Sequence, residues 1–472
     1  MSRHFTEFIA ADHDGCLRIE DVDAVALADQ FGTPLFVISE QQIRHNVRAI
    51  TRAFRAQYPR TEILFSNKAN NNPAVRRVFN LEGAGGDCFG YGELYLSLLA
   101  RTPPERLMLN GSNKQEAELE LAIQNGVTVN VDVFEEIETI ATIARRLGRR
   151  ARVSARTRLA LHALDSVVAD WPKGLQIGAG ARAHKFGMTY DEVLAVCRFA
   201  LASEWLELRG LHHHAGRWTN DVALNRAVVQ EQVAWTARLR DALGWTPSVL
   251  NMGGGLAWGR PEGHGPDGSD RTAPDYSAYA EAIAGTLRTE LACHELGEPT
   301  LMIEPGRALA SNIGLLLTRV GVIKRTAGFK TWVNVDASQN HLANILTANW
   351  YYHVVAAHAA DVPPSQVSEV DVVGPLCTFD LMGGARPLPE LKRGDVLAFL
   401  DAGAYGETKA ATFNAQPRPA TVLVSGDRAN IITERETLRE VIGRFRIPAH
   451  LLTDGDAIHA EAKDLELAAT PA

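Results

Sequence analysis

The chain has 472 residues, 46% hydrophobic and 22% charged, an ordinary globular composition with length enough for two domains. A formal net charge of −8 with no lysine/arginine block speaks against a nucleic-acid surface, and no apolar run is long enough to span a membrane. Five scattered cysteines without CxxC spacing, and an N-terminus with no long apolar core, lead to the expectation of reduced thiols in a cytoplasmic protein.

In chain order, eight short apolar segments read as strands: Ile63–Ala69, Asp87–Phe89, Leu107–Asn110, Val127–Val133, Arg152–Leu159, Leu206–His214, Val249–Gly254 and Leu301–Glu304. Most intervals between them carry helical patterns, such as Gln115–Gln124 and Phe134–Leu147. Strand–helix alternation at this count predicts an α/β fold built on a (β/α)8 barrel. After Arg307 the texture changes to short β-rich runs, Trp332–Val335, Glu369–Val373, Val396–Leu400 and Ala420–Val424, which predict a mostly antiparallel β domain. The run Leu35–Ile38 is expected to join that domain. The resulting division is 38–308 for the barrel, 1–37 plus 309–462 for the β domain, and 463–472 for a flexible tail. Gly- and Pro-rich texture marks Trp258–Pro274 and Ala163–His184 as loops.

Four sites on this frame carry chemistry. Lys68 closes the first apolar run, at the strand end that forms the active face of a barrel, where an amine can form a Schiff base. The seventh strand runs into Gly253-Gly254-Gly255 and the eighth into Glu304-Pro305-Gly306-Arg307. Barrel phosphate sites recur after these two strands, because glycines let backbone N–H groups approach an anion and an arginine adds a forked donor. Glu304 could oppose a pyridine nitrogen and keep it protonated; the plainer reading pairs it with Arg307. Together these groups describe a pyridoxal phosphate site. His212-His213-His214 ends strand six, with His213 facing away from the other two. No carboxylate stands at a metal-ligand spacing beside them, so a stacked or hydrogen-bonded imidazole is expected and no metal. Cys377, leaving a strand in Val372–Cys377, is either a buried thiol or a proton donor. Tyr405 tops the small-residue turn Asp401–Gly406.

These segments resemble the fold-type III, ornithine/diaminopimelate decarboxylase family, from about Phe31 to Val424. The matching pieces are Phe65–Asn70, Asn110–Lys114, Lys185–Gly187, the His-x-His-x-Gly stretch ending at Gly216, the triple glycine, EPGR, Gly374–Cys377 and DAGAYG. The resemblance implies that Lys68 carries the cofactor, His214 stacks on its ring and Glu304 faces its nitrogen. It implies that Gly254, Gly255, Gly306 and Arg307 hold the phosphate. It also implies an obligate homodimer with shared sites, into which Cys377 and Tyr405 reach from the other subunit.

Departures from the family fall near the phosphate or substrate, at Arg217, and at the substrate's far end. Where diaminopimelate-specific members carry Ser after the His-x-Gly, this chain has Arg217; where they carry Glu after the cysteine, it has Thr378. Their Arg–Pro–x–x–Tyr stretch aligns with Asn344-Ile345-Leu346-Thr347-Ala348. Loss of a bidentate arginine weakens the basis for binding a distal carboxylate. The resulting expectation is decarboxylation of an altered, conjugated or carrier-linked amino acid, with Arg217, Asn344 and Thr378 as candidate substrate contacts and Cys377 as a proton donor. The alternatives are a genuine meso-diaminopimelate decarboxylase and a non-catalytic paralogue. An amino-acid racemase on the same barrel is disfavoured by Glu304 and Cys377, and a zinc hydrolase leaves Lys68 unexplained.

Overall fold

Eight parallel strands close into a barrel in the computed structural model, which describes residues 4–161, 184–216, 221–259, 273–348 and 350–451. They are Thr61–Ser66, Gly85–Phe89, Leu107–Asn110, Thr128–Val131, Ala151–Arg156, Leu206–His212, Val249–Asn251 and Thr300–Ile303. Closure comes from the eighth strand pairing with the first, Leu301 to Thr61 and Ile303 to Ile63. The expected barrel is therefore present, with strand boundaries within a few residues of the apolar runs that announced them. Most of the expected loop segments Ala163–His184 and Trp258–Pro274, and all of the tail from 463, lie outside the described residues.

Local sequence explains why the barrel's outer layer is helical. Ile43, Val47, Ile50 and Phe54 recur at helical spacing on the buried face of Glu40–Gln57, and Ser39 caps that helix by accepting from the Gln42 N–H. Asp221 caps Val222–Leu243 in the same way. Pro73 opens Pro73–Leu81 at its first position, where a missing N–H costs nothing. The strands are nearly uninterrupted in burial, as parallel strands covered on both faces require. No helix of the described residues is long and apolar enough to cross a membrane.

Beside the barrel stands a nine-stranded sheet, as counted among the described residues, with its own apolar cores. Its pairings are antiparallel except two, Thr331–Val335 with Ser368–Val373 and Leu35–Ser39 with Ala420–Ser425. Leu35–Ser39 does join this sheet, and it lies between Gly314–Arg325 and Ala420–Ser425. The 12-residue strand Gly314–Arg325 is the sheet's organising element, and the sequence pattern did not announce it. Its first five residues are buried and its last ones are exposed, so it shows neither a continuous apolar run nor a clean alternation.

The turn Asp401–Gly406 docks the sheet on the barrel. Tyr405 N–H donates to the Ala69 carbonyl at 2.7 Å, and Asn70 Nδ2 donates to the Gly403 carbonyl at 3.1 Å. Gly403 makes this possible, since a Cβ there would lie 2.3 Å from the Ala310 carbonyl oxygen and 2.7 Å from Ile313 Cγ1. Gly403→Ala should therefore destabilise the protein by roughly 1–3 kcal/mol, the usual range for overpacking. Gly92→Ala, on an exposed helix with nothing within 4 Å of the new methyl, should be neutral or slightly stabilising. Urea midpoints for the two variants check this; equal midpoints would show that the docking contact is not tight.

Candidate active site

The mouth of the barrel is lined with polar side chains that the strands deliver to their carboxyl ends. The first strand ends at Ser66, and the 3-10 turn Asn67–Ala69 that follows presents Lys68. Its Nζ donates to Asp87 Oδ2 at 2.8 Å and to the Ser66 hydroxyl. Ser66 Oγ also donates to Asp87 Oδ2, at 2.5 Å, and Asn110 Nδ2 donates to Asp87 Oδ1 at 2.8 Å. Asp87 is 2% exposed, whereas the Lys68 side chain is 40% exposed through the cavity mouth.

Glu304 is the second buried carboxylate, 3% exposed. Its Oε1 accepts from Asn251 Nδ2 at 2.7 Å and from Asn110 Nδ2 at 3.3 Å, and its Oε2 lies 3.3 Å from His212 Nε2. Asn110 in turn accepts from Asn130 Nδ2 at 2.9 Å. None of the Glu304 hydrogen bonds comes from Arg307, so the plain ion-pair reading of Glu304 is not what the geometry shows.

The ionisation of this cluster follows from burial against pairing. Burial alone would lower Lys68, but the charge of Asp87, then Tyr405 and Glu304, outweighs it and holds the amine above the ordinary lysine range. For Asp87, burial works towards neutralisation; the Lys68 charge and the bonds from Lys68, Ser66 and Asn110 prevail and keep it well below the carboxylate range. His214 is held far below the usual imidazole range by burial first and by the Lys68 charge second. Its Nδ1 accepts from the Gly254 N–H at 3.1 Å, consistent with a neutral ring whose proton sits on Nε2.

The three consecutive histidines part company. His212 faces Glu304 inside the barrel, His213 Nδ1 bonds the Thr157 carbonyl at 3.0 Å on the opposite side, and His214 turns to Gly254. Burial drives His213 down to about 3.

The triple glycine is required by backbone proximity. Gly253 has φ +66°, and a Cβ on Gly254 would lie 2.1 Å from the Glu304 carbonyl oxygen. Gly255 and Gly306 line the cavity, whereas Gly254 packs against the eighth strand. Arg307 lies 4.1 Å from the Trp350 ring centroid and 4.8 Å from that of Tyr405.

These groups share one cavity of about 290 Å³, with Lys68, His214, Gly255, Glu304, Gly306, Arg307, Asn344, Tyr405 and Lys409 in its wall. Cys377 and Thr378 do not line it. Both are exposed on the loop after Ser368–Val373, where the Cys377 N–H donates to Asn414 Oδ1 at 3.2 Å. Tyr405 requires a correction. It was expected to serve the other subunit's site, yet it lines the cavity of its own chain, because the Asp401–Gly406 turn is pinned to the barrel next to Lys68. Arg217 lies outside the described residues.

Several residues of this site escaped the sequence reading: Ser66, Asp87, Asn110, His212 as a Glu304 partner, Asn251 and Lys409. For Asp87 a signal was available, since a lone acid at the carboxyl end of the second strand faces the same mouth as Lys68. For Lys409 none was, because its neighbour Asn344 is distant in sequence.

The family model described as "Pyridoxal-dependent decarboxylase, pyridoxal binding domain" matches residues 44–311, more than half of the chain. The chain belongs to the pyridoxal-dependent decarboxylases. It is 33% identical to a diaminopimelate decarboxylase of Methanothermobacter thermautotrophicus, over 94% of this chain and 99% of that one. Identity to the Archaeoglobus fulgidus diaminopimelate decarboxylase is 34%, over 93% and 99%. A solved diaminopimelate decarboxylase from Methanocaldococcus jannaschii superposes with a TM-score of 0.86 at 30% identity, covering 94% of this chain and 99% of that chain. The protein is thus a decarboxylase with pyridoxal phosphate as cofactor. The cavity fits that group: it offers a primary amine, a buried carboxylate fixed by three partners, a neutral imidazole, two glycines and a guanidinium.

The Lys68–Asp87 pair gives this decarboxylase a titration test. In the cofactor-free protein, Asp87→Asn removes the largest charge that raises Lys68 and leaves only Tyr405 and Glu304 against burial, so the amine should deprotonate at lower pH. Labelling of Lys68 by an amine-selective reagent, followed by peptide mass spectrometry, should show its pH midpoint moving down. An unchanged midpoint would mean that Asp87 does not control this amine.

Proposed function

We propose that this decarboxylase removes CO2 from meso-diaminopimelate. The observation that carries the reading is length. The named relatives match at about one-third identity over more than nine-tenths of this chain and nearly all of their own, so both domains and the cleft between them correspond. The expectation of a shifted substrate draws no support from these relatives. A second reading, a substrate with a different far end, rests on Asn344 and Thr378 standing where diaminopimelate-specific members carry arginine and glutamate.

When bound, pyridoxal phosphate supplies an electron sink for the charge left at Cα as CO2 departs. The chain's residues do the rest. Lys68 would hold the cofactor through its amine. Glu304, fixed by Asn251, Asn110 and His212, would face the ring nitrogen and favour its protonated form. The neutral His214 would lie against the ring without adding charge, and Gly255, Gly306 and Arg307 would receive the phosphate. Cys377 and Thr378 stand away from their own cavity, on a loop that also exposes 69% of Phe379. A second copy of the chain would bring that loop to the site, and we assign the homodimer with shared sites on this ground.

Measured CO2 release tests the reading. meso-Diaminopimelate should be turned over with kcat/KM on the order of 10⁴ M⁻¹s⁻¹ or above, the ordinary enzyme range. Lys68→Ala should abolish turnover and the visible absorbance of the bound cofactor. Glu304→Gln should lower kcat on the order of a hundredfold, the scale of one lost charge-stabilising contact, with less effect on cofactor affinity. A different amino acid decarboxylated far faster than meso-diaminopimelate would replace the first reading by the second.

A further inference from the structure

We propose that Lys409, held by Asn344 and Thr347, receives the carboxylate at the unreacted end of the substrate. This rests on the meso-diaminopimelate reading above. That substrate carries an ammonium and a carboxylate at each end. One end reacts beside Lys68, and the other keeps its carboxylate throughout. An anion brought into a cavity needs a donor there, and a charged one is worth most.

Three cationic side chains line the cavity among the described residues: Lys68, Arg307 and Lys409. Lys68 is the reacting amine, paired with Asp87. Arg307 lies against the Trp350 and Tyr405 rings, next to Gly306. Lys409 is the third, and it enters from the sheet side of the cavity beside Asn344. It closes the 3-10 turn Glu407–Lys409, in which Thr408 Oγ1 donates to the Lys68 carbonyl oxygen at 3.3 Å. The turn is thus tied directly to the segment that bears the reacting amine.

Lys409 Nζ donates to Asn344 Oδ1 at 3.0 Å and to Thr347 Oγ1 at 3.4 Å, and lies 5.6 Å from the Tyr405 centroid. Both hydrogen-bond partners come from the helix Asn344–Ala348, and Asn344 is 1% exposed. A fully buried amide therefore fixes the direction of a flexible, exposed ammonium. The position that bears arginine in diaminopimelate-specific members supplies an acceptor here, and the cation comes from the turn across the cavity. Lys409 is a specificity-determining residue on this reading.

The test uses the holoenzyme and a pair of ligands differing only at the far end: 2-aminopimelate, with a terminal carboxylate, and 2-aminoheptanoate, with a methyl, each as the racemate. Calorimetric affinities give the preference for the carboxylate. Lys409→Met, which keeps the stem and removes the charge, should cut that preference about ten- to hundredfold. Lys409→Arg should retain most of it. For meso-diaminopimelate, Lys409→Met should lower kcat/KM by a similar factor, mainly through KM. A preference unchanged by Lys409→Met, or absent from the wild type, overturns the assignment. If the preference collapses but the wild type does not turn over meso-diaminopimelate, the proposed substrate falls and the Lys409 assignment stands. Efficient turnover with an unmoved preference removes Lys409 alone.

Discussion

Asp87 and Glu304 are two carboxylates buried in the mouth of one barrel, and burying anions is costly unless each is met by donors. The donors come from all round the ring: Ser66 and Lys68 at the end of the first strand, Asn110 from the third, His212 from the sixth and Asn251 from the seventh. Asn110 reaches both acids. Asp87 meets its donors from neighbouring strands, whereas Glu304, after the eighth strand, meets Asn110 of the third only across the closed ring. The same arrangement splits the chemistry. One acid is committed to a lysine, and the other is held by two amides and an imidazole and left facing the cavity.

The barrel was legible because its strands are short, buried on both faces and separated by amphipathic helices, a pattern that hydrophobic spacing reports directly. Lys68 and Glu304 were legible for the same reason, since each stands at the end of an apolar run. Asp87 was passed over although its run reads as a strand, because the two opening glycines hide the strand's start and make the acid look like its first residue. A Cβ on Gly85 would lie 2.3 Å from the Arg106 carbonyl oxygen, so packing demands what the pattern cannot show. The β domain was legible only in part. Gly314–Arg325 runs from a buried sheet centre to an exposed end, and its pairing partners lie on either side of it in sequence. Lys409 and Asn344 meet only through the fold, and their contact has no local signature.

Function in this molecule belongs to the seam between its two parts. The barrel contributes the amine, the acids and the glycines. The sheet side contributes Tyr405, Asn344 and Lys409 through short turns and a five-residue helix. The lysine and the buried acids stand at or just after strand ends held by main-chain ladders, whereas Asn344 and Lys409 stand on connecting segments, which can change without disturbing the barrel.

Leu35–Ser39 sits inside the sheet, flanked by Gly314–Arg325 on one edge and Ala420–Ser425 on the other. Its two neighbours are made long after it leaves the ribosome, and the barrel's whole sequence lies between it and the first of them. During synthesis this apolar strand must wait with both edges open while the barrel assembles. The seam that carries Tyr405 and Lys409 is completed only near the end of translation, so a chain released early could hold a closed barrel and still be inert.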